Sequence, residues 1–337
     1  MQQPLSCLIV GAGISGLMAA QTLQANGVTT IVLDKGRSVG GRMATRWVET
    51  EANEKAYFDH GAQFFTVREE RLQKFVDQWL VAGIVREWTR GFANAAGEAN
   101  HDGHPRYCGT AGMNAIARHL AAALNVQVKT KVERISGKDK QWKLTLESGD
   151  ELSADALILT PPVPQSLALL ETGAFTLPDE AHAALERITY NSCFALLAVL
   201  DAPPRLVEPG AIQLNQEPIT WIADNHRKGI SPDAFTVTIH AGPEFTRRHW
   251  DTDAETVAYK LLHAASEWLR VPVKSWQLHR WRYSQPQVTH PDTCLLVHQP
   301  LPLVFAGDAF GAARVEGAAM SGIAAAEALL HMTRNAR

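Results

Sequence analysis

At 337 residues, 46% hydrophobic and 20% charged, the chain is long enough to bury two cores and too apolar to be disordered. Its net charge of −3, without a basic run, removes any electrostatic reason to expect nucleic acid as a partner. The four cysteines, Cys7, Cys108, Cys193 and Cys294, form no C-x-x-C pair, which speaks against dithiol chemistry and a zinc cluster and fits a reducing, cytoplasmic compartment.

Residues 1–6 lead into the first strand without a basic region, an apolar segment and a cleavage site, so no signal peptide is expected. Apolar stretches such as 193–200 are too short to span a bilayer, and no membrane partner is expected. Residues 7–35 then read as strand, glycine turn, helix and strand closed by an acid. Leu8, Ile9 and Val10 form an apolar run suited to a parallel strand covered on both faces. Gly11, Gly13 and Gly16 follow at G-x-G-x-x-G spacing: one for the tight turn, one for close approach of backbone to a pyrophosphate, one for close packing of the next helix. The helix expected over 15–26 aims its free N–H groups and positive dipole end at the phosphates. Residues 29–33 form the second strand, and Asp34 stands where a carboxylate accepts from ribose hydroxyls. Gly11, Ala12, Gly13, Ile14, Ser15, Gly16, Asp34 and the following Lys35 are the expected cradle of a dinucleotide.

Farther along, Gly40, Gly41 and Arg42 form a loop whose backbone can wrap a second part of the cofactor, with Arg42 positioned to meet a phosphate. Residues 66–85 carry Leu72, Phe75, Val76, Trp79 and Leu80 at helical spacing. Residues 91–105 read as a loop or short hairpin. His101 and His104 within it lack a partner carboxylate or cysteine, so no metal is expected. A helix over 114–123, strand-like runs at 126–129, 132–135, 142–147 and 156–160, and a Pro161–Pro162 stop complete the first half. Strands at 194–199 and 235–240, and a helix over 252–269, suggest a second, sheet-based domain. The last segment offers a strand at 303–306, a Gly307–Asp308 turn and a helix opened by small residues.

These motifs, GAGISGL, GGRM, DHGAQFFT, GTAGMNAI, HRWRYSQP and GDAFGAARVEGAAMSG, together resemble the renalase-like branch of the flavin-containing amine oxidase superfamily over nearly the whole chain. The resemblance implies a mixed α/β architecture: a Rossmann-like FAD-binding domain of the two-dinucleotide-fold type (1–65, 106–163, 280–337) and a smaller mixed-sheet substrate domain (66–105, 164–279). It further implies that His60, Gly61, Ala62 and Gln63 pass beside the flavin ring and that Val132 reads the adenine edge. Thr160 marks the exit from the domain. Gly307, Asp308, Gly317, Ala318 and Ser321 serve the ribityl and pyrimidine side. Asp34 stands where the superfamily more often has glutamate, and Tyr107 where relatives carry tryptophan.

The activity so implied is that of an oxidase with non-covalent FAD, since no cysteine lies in the C-terminal flavin-facing segment. It takes hydride at flavin N5 from 2- or 6-dihydro isomers of NAD(P)H and passes the electrons to O2 as hydrogen peroxide. The sequence is compatible. It has one dinucleotide cradle, so a nicotinamide visits as substrate, and hydride transfer needs orientation more than proton abstraction. Gln63, Tyr107, His240 and Trp281 are the candidate catalytic residues. Arg106, Tyr107, Trp221, His240 and Tyr283 are the candidate substrate-binding residues, because they flank the inferred domain crossings. An amine oxidase or desaturase on another substrate, and a flavin-binding protein without activity, stay open as alternatives.

Overall fold

The computed structural model describes residues 5–335. The first four residues, and with them most of the segment read for a signal peptide, lie outside that range, as does the side chain of His101. The chain divides into two compact units: Met1–Gly41, Ala117–Tyr190 and Gln285–Arg337 form one; Arg42–Ile116 and Asn191–Ser284 form the other.

The first unit is built on a six-stranded sheet in the order Leu295–Val297, Leu303–Phe305, Ala156–Leu159, Ser6–Val10, Thr29–Leu33, Val126–Gln127. All neighbours run parallel except the first two. Ser6–Val10 is central and enclosed from Cys7 onward, which is why it reads as an unbroken apolar run. Val10 precedes the turn into the helix Ile14–Ala25, and Leu33 lies beside Val10 in register, so Gly11 and Asp34 emerge at the same end of the sheet. A three-stranded antiparallel sheet, Val132–Lys138, Gln141–Leu146 and Glu151–Ala154, belongs to the same unit. Trp142, Leu144, Leu157, Leu159, Leu303 and Phe305 join in its core. The last helix, Val315–Asn335, packs on the first: a Cβ on Gly322 would collide with Ser15 O, so only glycine permits that approach.

The second unit holds a seven-stranded sheet, in the order Val273–Val288, Thr189–Leu200, Thr236–Ala241, Ile219–Asp224, Ala211–Gln213, Val85–Ala93, Ala99–Gly109. The helix Ala254–Leu269, capped by Asp253 accepting from Thr256 N at 2.8 Å, covers one face through Val257, Leu261 and Ala265. On the hairpin Thr45–Glu49 and Lys55–Asp59, Ala56 and Phe58 pack with Ala195, Leu197 and Val199.

The unit boundaries differ from the expected division. Residues 42–65 belong to the second unit because the hairpin is sewn to its sheet: Tyr57 N donates to Ser231 Oγ at 3.1 Å and Thr236 Oγ1 donates to Tyr57 O at 2.9 Å. Residues 106–116 go with it, since Arg106–Gly109 lie on the hairpin partner of Val85–Ala93. Residues 164–190 belong to the first unit, where Thr172 Oγ1 donates to Glu133 O at 2.9 Å and Val163 N to Tyr190 Oη at 3.1 Å. The helix expected over 66–85 is confined to Glu70–Val81, burying Leu72, Val76 and Trp79, and of the two readings of 91–105, loop or short hairpin, the hairpin is the one formed, by Val85–Ala93 and Ala99–Gly109. Among the described residues, no helix is long and apolar enough to cross a membrane, and no group of His, Cys, Asp and Glu could hold a metal ion.

Candidate functional site

In the first unit the glycine turn is held from both sides. Gly11 has φ +101° and donates to Leu33 O at 2.7 Å. A Cβ on Gly16 would run into Gly11 O, so helix and turn meet only because residue 16 is glycine. Gly13 is different in kind. Its φ of −73° suits any residue, and a Cβ there would meet no protein atom within 4 Å. The space it keeps clear is for something other than the chain.

That space lies at the start of a helix with no side-chain cap, where Ser15 Oγ is buried without a hydrogen-bond partner among the described residues. An orphaned hydroxyl and uncapped N–H groups beside an open glycine are the donor set a pyrophosphate requires. Asp34 is oriented by two backbone donors, Ala12 N at 2.7 Å to one oxygen and Gly36 N at 2.6 Å to the other. Each oxygen keeps a lone pair for a ribose hydroxyl. The residues present therefore fit a dinucleotide such as FAD.

Several expected cofactor contacts hold the cradle and are themselves engaged. Ala12 is fully buried, and its N–H is taken by Asp34. Thr160 Oγ1 donates to Val10 O at 2.9 Å. Ser321, also fully buried, accepts from Gly307 N at 2.8 Å, so it shapes the Gly307–Asp308 turn and has no surface to offer a ligand. Ala318 N is already donated to Arg314 O at 3.0 Å, as a helical amide. Lys35 reaches Gln165 Oε1 at 3.3 Å on the surface. Val132 is buried at a register shift in its strand pairing, and Gly41, φ +53°, packs on Gly13. A Cβ on Gly317 would strike Ala312 O.

In the second unit the Asp59–Gln63 turn gathers most of the remaining candidates. A Cβ on Gly61 would strike Arg42 O, which also accepts from Ala62 N at 2.8 Å. Arg42 Nη1 lies 3.5 Å from Ser284 O. His60 O receives Trp281 Nε1 at 2.8 Å and His240 Nε2 at 3.3 Å, and the Trp281 ring stacks on His60 at 5.3 Å. Trp281 thus positions the turn, and Tyr283, two residues on, shares its strand face. His279 meets His60 edge-on at 4.9 Å. Burial pushes His60 down to about 3, helped by the nearby positive charge of His279, Arg46 and His240, and pushes His240 down to about 4. His279 is lowered by burial as well. At neutral pH this is a face of uncharged imidazoles.

Tyr107 exchanges backbone hydrogen bonds with Phe65 at 2.8 and 2.9 Å and packs its ring on Phe65 at 5.6 Å. Arg106 is engaged by Asp102, whose carboxyl it holds well below the usual range, and by His104 O at 2.7 Å, leaving a buried Nε without a partner among the described residues. Trp221 sits in an aromatic cluster with Phe64, Trp88 and Phe92, 4.7 Å from Phe92, and its Nε1 is buried without a partner.

Three residues, Lys228, Asn225 and Thr238, escaped the sequence reading, and His279 was seen only as part of the HRWRYSQP motif, without a role. Lys228, fully buried, pairs with Asp59 at 2.7 Å; Asn225 and Thr238 bond to the main chain of Asp59; and His279 abuts His60. Asp59 was visible in the DHGAQ motif. Lys228, in a surface-like R-K-G triplet, gave no signal.

Comparison with known proteins follows this geometry. Residues 69–330 match the family described as flavin containing amine oxidoreductase, and residues 9–79 match the NAD(P)-binding Rossmann-like domain. The chain is 26% identical over 342 residues to renalase from Mus musculus, covering 96% of this chain and 98% of that protein. Among solved structures, cyclohexylamine oxidase from Brevibacterium oxydans superposes with a TM-score of 0.73 at 13% identity, over 99% of this chain and 100% of the other. A putrescine oxidase variant does so with 0.73 at 15% identity, over 98% and 100%.

Proposed function

The chain belongs to the flavin-containing amine oxidoreductase family, whose members are flavin-dependent enzymes, and from that premise we propose that it is an FAD-dependent oxidase of the renalase-like kind. Its proposed substrates are 2- or 6-dihydro isomers of NAD(P)H, which leave as NAD(P)+ while O2 becomes hydrogen peroxide. Bound non-covalently, FAD supplies the two-electron acceptor that oxygen regenerates. Gly13, Ser15 and Asp34 would hold its pyrophosphate and ribose.

The observation that carries this reading is the uncharged face of the second unit. Imidazoles with pKa values near 3 and 4 are weak bases at neutral pH, and the nearby carboxylate, Asp59, is closed off by Lys228. A dihydropyridine already carries a transferable hydride and needs to be oriented rather than deprotonated. An ammonium substrate must first lose a proton. Tyr107, His240 and Gln63 would orient the ring, with Arg106, Trp221 and Tyr283 binding the remainder. The competing reading, an amine substrate, gains nothing from the Phe64, Trp88, Phe92 and Trp221 cluster, whose rings already face the chain's own cations: Lys228 over Trp88 at 4.8 Å and Arg106 over Phe92 at 5.9 Å.

Anaerobic stopped-flow at the flavin absorbance separates the two. Rapid bleaching by the 2- or 6-dihydro isomers, and not by 4-dihydro-NAD(P) or amines, is the expected result. Bleaching by an amine would transfer the assignment to amine oxidation.

A further inference from the structure

Lys228 places its charge where water does not reach, and in the mechanism above it does no more than close off Asp59. Its Nζ donates to Asp59 Oδ2 at 2.7 Å and to Gln63 O at 2.5 Å, and stands 4.8 Å from the Trp88 ring centroid. Asp59, equally enclosed, accepts on its other oxygen from Thr45 Oγ1 at 2.6 Å and Met113 N at 2.8 Å. Buried pairs of this kind seldom stabilise a fold more than an apolar pair would, so the pair calls for another role.

What the pair holds is an amide with one end unsatisfied. Gln63 Nε2 donates to Asp59 O at 2.6 Å and lies 3.1 Å from Gly61 O. Both partners are carbonyl oxygens, so turning the amide around would set oxygen against oxygen. The other end, Gln63 Oε1, is buried and has no partner among the described residues.

We propose that Lys228, acting with Asp59, is a positioning residue that fixes Gln63 as a hydrogen-bond acceptor, unable to donate, toward an N–H of the reacting ligand. This rests on the flavoenzyme reading. The N–H has two sources of the same chemistry, the flavin ring and a substrate carboxamide. Lys228 and Asp59 have no exposed surface and act through Gln63.

The test is a mutant cycle on the FAD-loaded protein, comparing Gln63→Leu, the paired change Lys228→Met with Asp59→Asn, and all three together. The paired change removes both charges at once and so leaves no lone buried ion. The readouts are the midpoint potential of the bound flavin, and kcat and KM for 6-dihydro-NAD and for its 3-acetylpyridine analogue, which lacks the carboxamide N–H. Gln63→Leu is expected to weaken one of these interactions about three- to tenfold, the worth of one hydrogen bond. The paired variant should reproduce most of that loss, and the triple variant should lose no more. A KM effect confined to the carboxamide substrate assigns the donor to substrate, and a shift in potential assigns it to flavin; either supports the proposal. Additive losses, or a Gln63→Leu variant equal to the parent in every readout, overturn it. If the paired variant does not fold, Gln63→Glu decides: parent-like values while its carboxyl is protonated and a loss as it ionises support the locked amide, whereas pH-independent values overturn it. Should no dihydronicotinamide reduce the flavin, the functional reading fails, while the potential cycle still decides the role of Lys228.

Discussion

Asp34 Oδ2 accepts the N–H of Ala12 at 2.7 Å, tying the end of one strand to the glycine turn at the end of its neighbour. The acid expected to meet the ribose is thus a structural member of the turn before any ligand arrives. Asp34→Ala is expected to destabilise the apoprotein by about 1.5–3 kcal/mol, the range for a hydrogen bond to a charged group, and also to weaken FAD. Asp34→Glu should retain more of both. Chemical denaturation of the apoprotein and fluorescence titration with FAD read the two effects separately.

Gly13 and Gly16 are expected to respond oppositely to the same methyl group. Gly16→Ala drives a Cβ into Gly11 O and should cost about 1–3 kcal/mol of apoprotein stability. Gly13→Ala meets no protein atom, and its backbone already accepts alanine, so stability should hold or rise by up to about 1 kcal/mol while FAD affinity falls. An unfolded Gly13→Ala protein, or one that binds FAD as tightly as the parent, would contradict the role given to that space.

Ser321→Ala leaves the Gly307 N–H without its acceptor in a site closed to water. The expected cost is about 1–3 kcal/mol. Since Ser321 has no surface for a ligand, the ratio of kcat/KM between dihydro isomers should not move, and steady-state kinetics on the folded variant check this.

Stability should fall in acid before most carboxylates titrate. His60 and His240 take up protons in the unfolded chain near 6.5 but in the fold only near 3 and 4. Their contribution is therefore complete above pH 6.5 and is lost progressively as pH falls from there toward 4 and then 3, by an amount on the order of a few kcal/mol. Replacing either histidine with glutamine should flatten that slope in urea titrations between pH 4 and 7.

His240→Ala and Tyr107→Ala are expected to slow flavin reduction or raise the substrate requirement while FAD stays bound. If both reduce at the parental rate in stopped-flow, the substrate assignment loses these residues.

The dinucleotide turn was legible because local rules write it: glycine spacing, an apolar strand and a terminal acid all fall within residues 7–35. The buried pair of Asp59 and Lys228 was not, because a lysine beside a glycine has the same local appearance whether it ends in solvent or in a core. Ser321 was read as a ligand contact from its place near a helix start, but the fold turns its hydroxyl to the Gly307 N–H, 14 residues earlier in the preceding turn, a pairing that spacing alone does not show. Residues 42–65 went to the other unit for the same reason, since Ser231, Thr236 and Thr238 decide where that hairpin lies.

The contact between Ser15 O and Gly322 has a consequence for how the protein is made. In synthesis the glycine turn precedes the helix that packs behind it and the strand Leu303–Phe305 that extends its sheet. Until then the nascent turn lacks the backing that holds its helix in place. A chain that stops before residue 322 is therefore expected to expose the faces of that sheet and to aggregate rather than to form a smaller version of the first unit, which solubility of such a truncation checks.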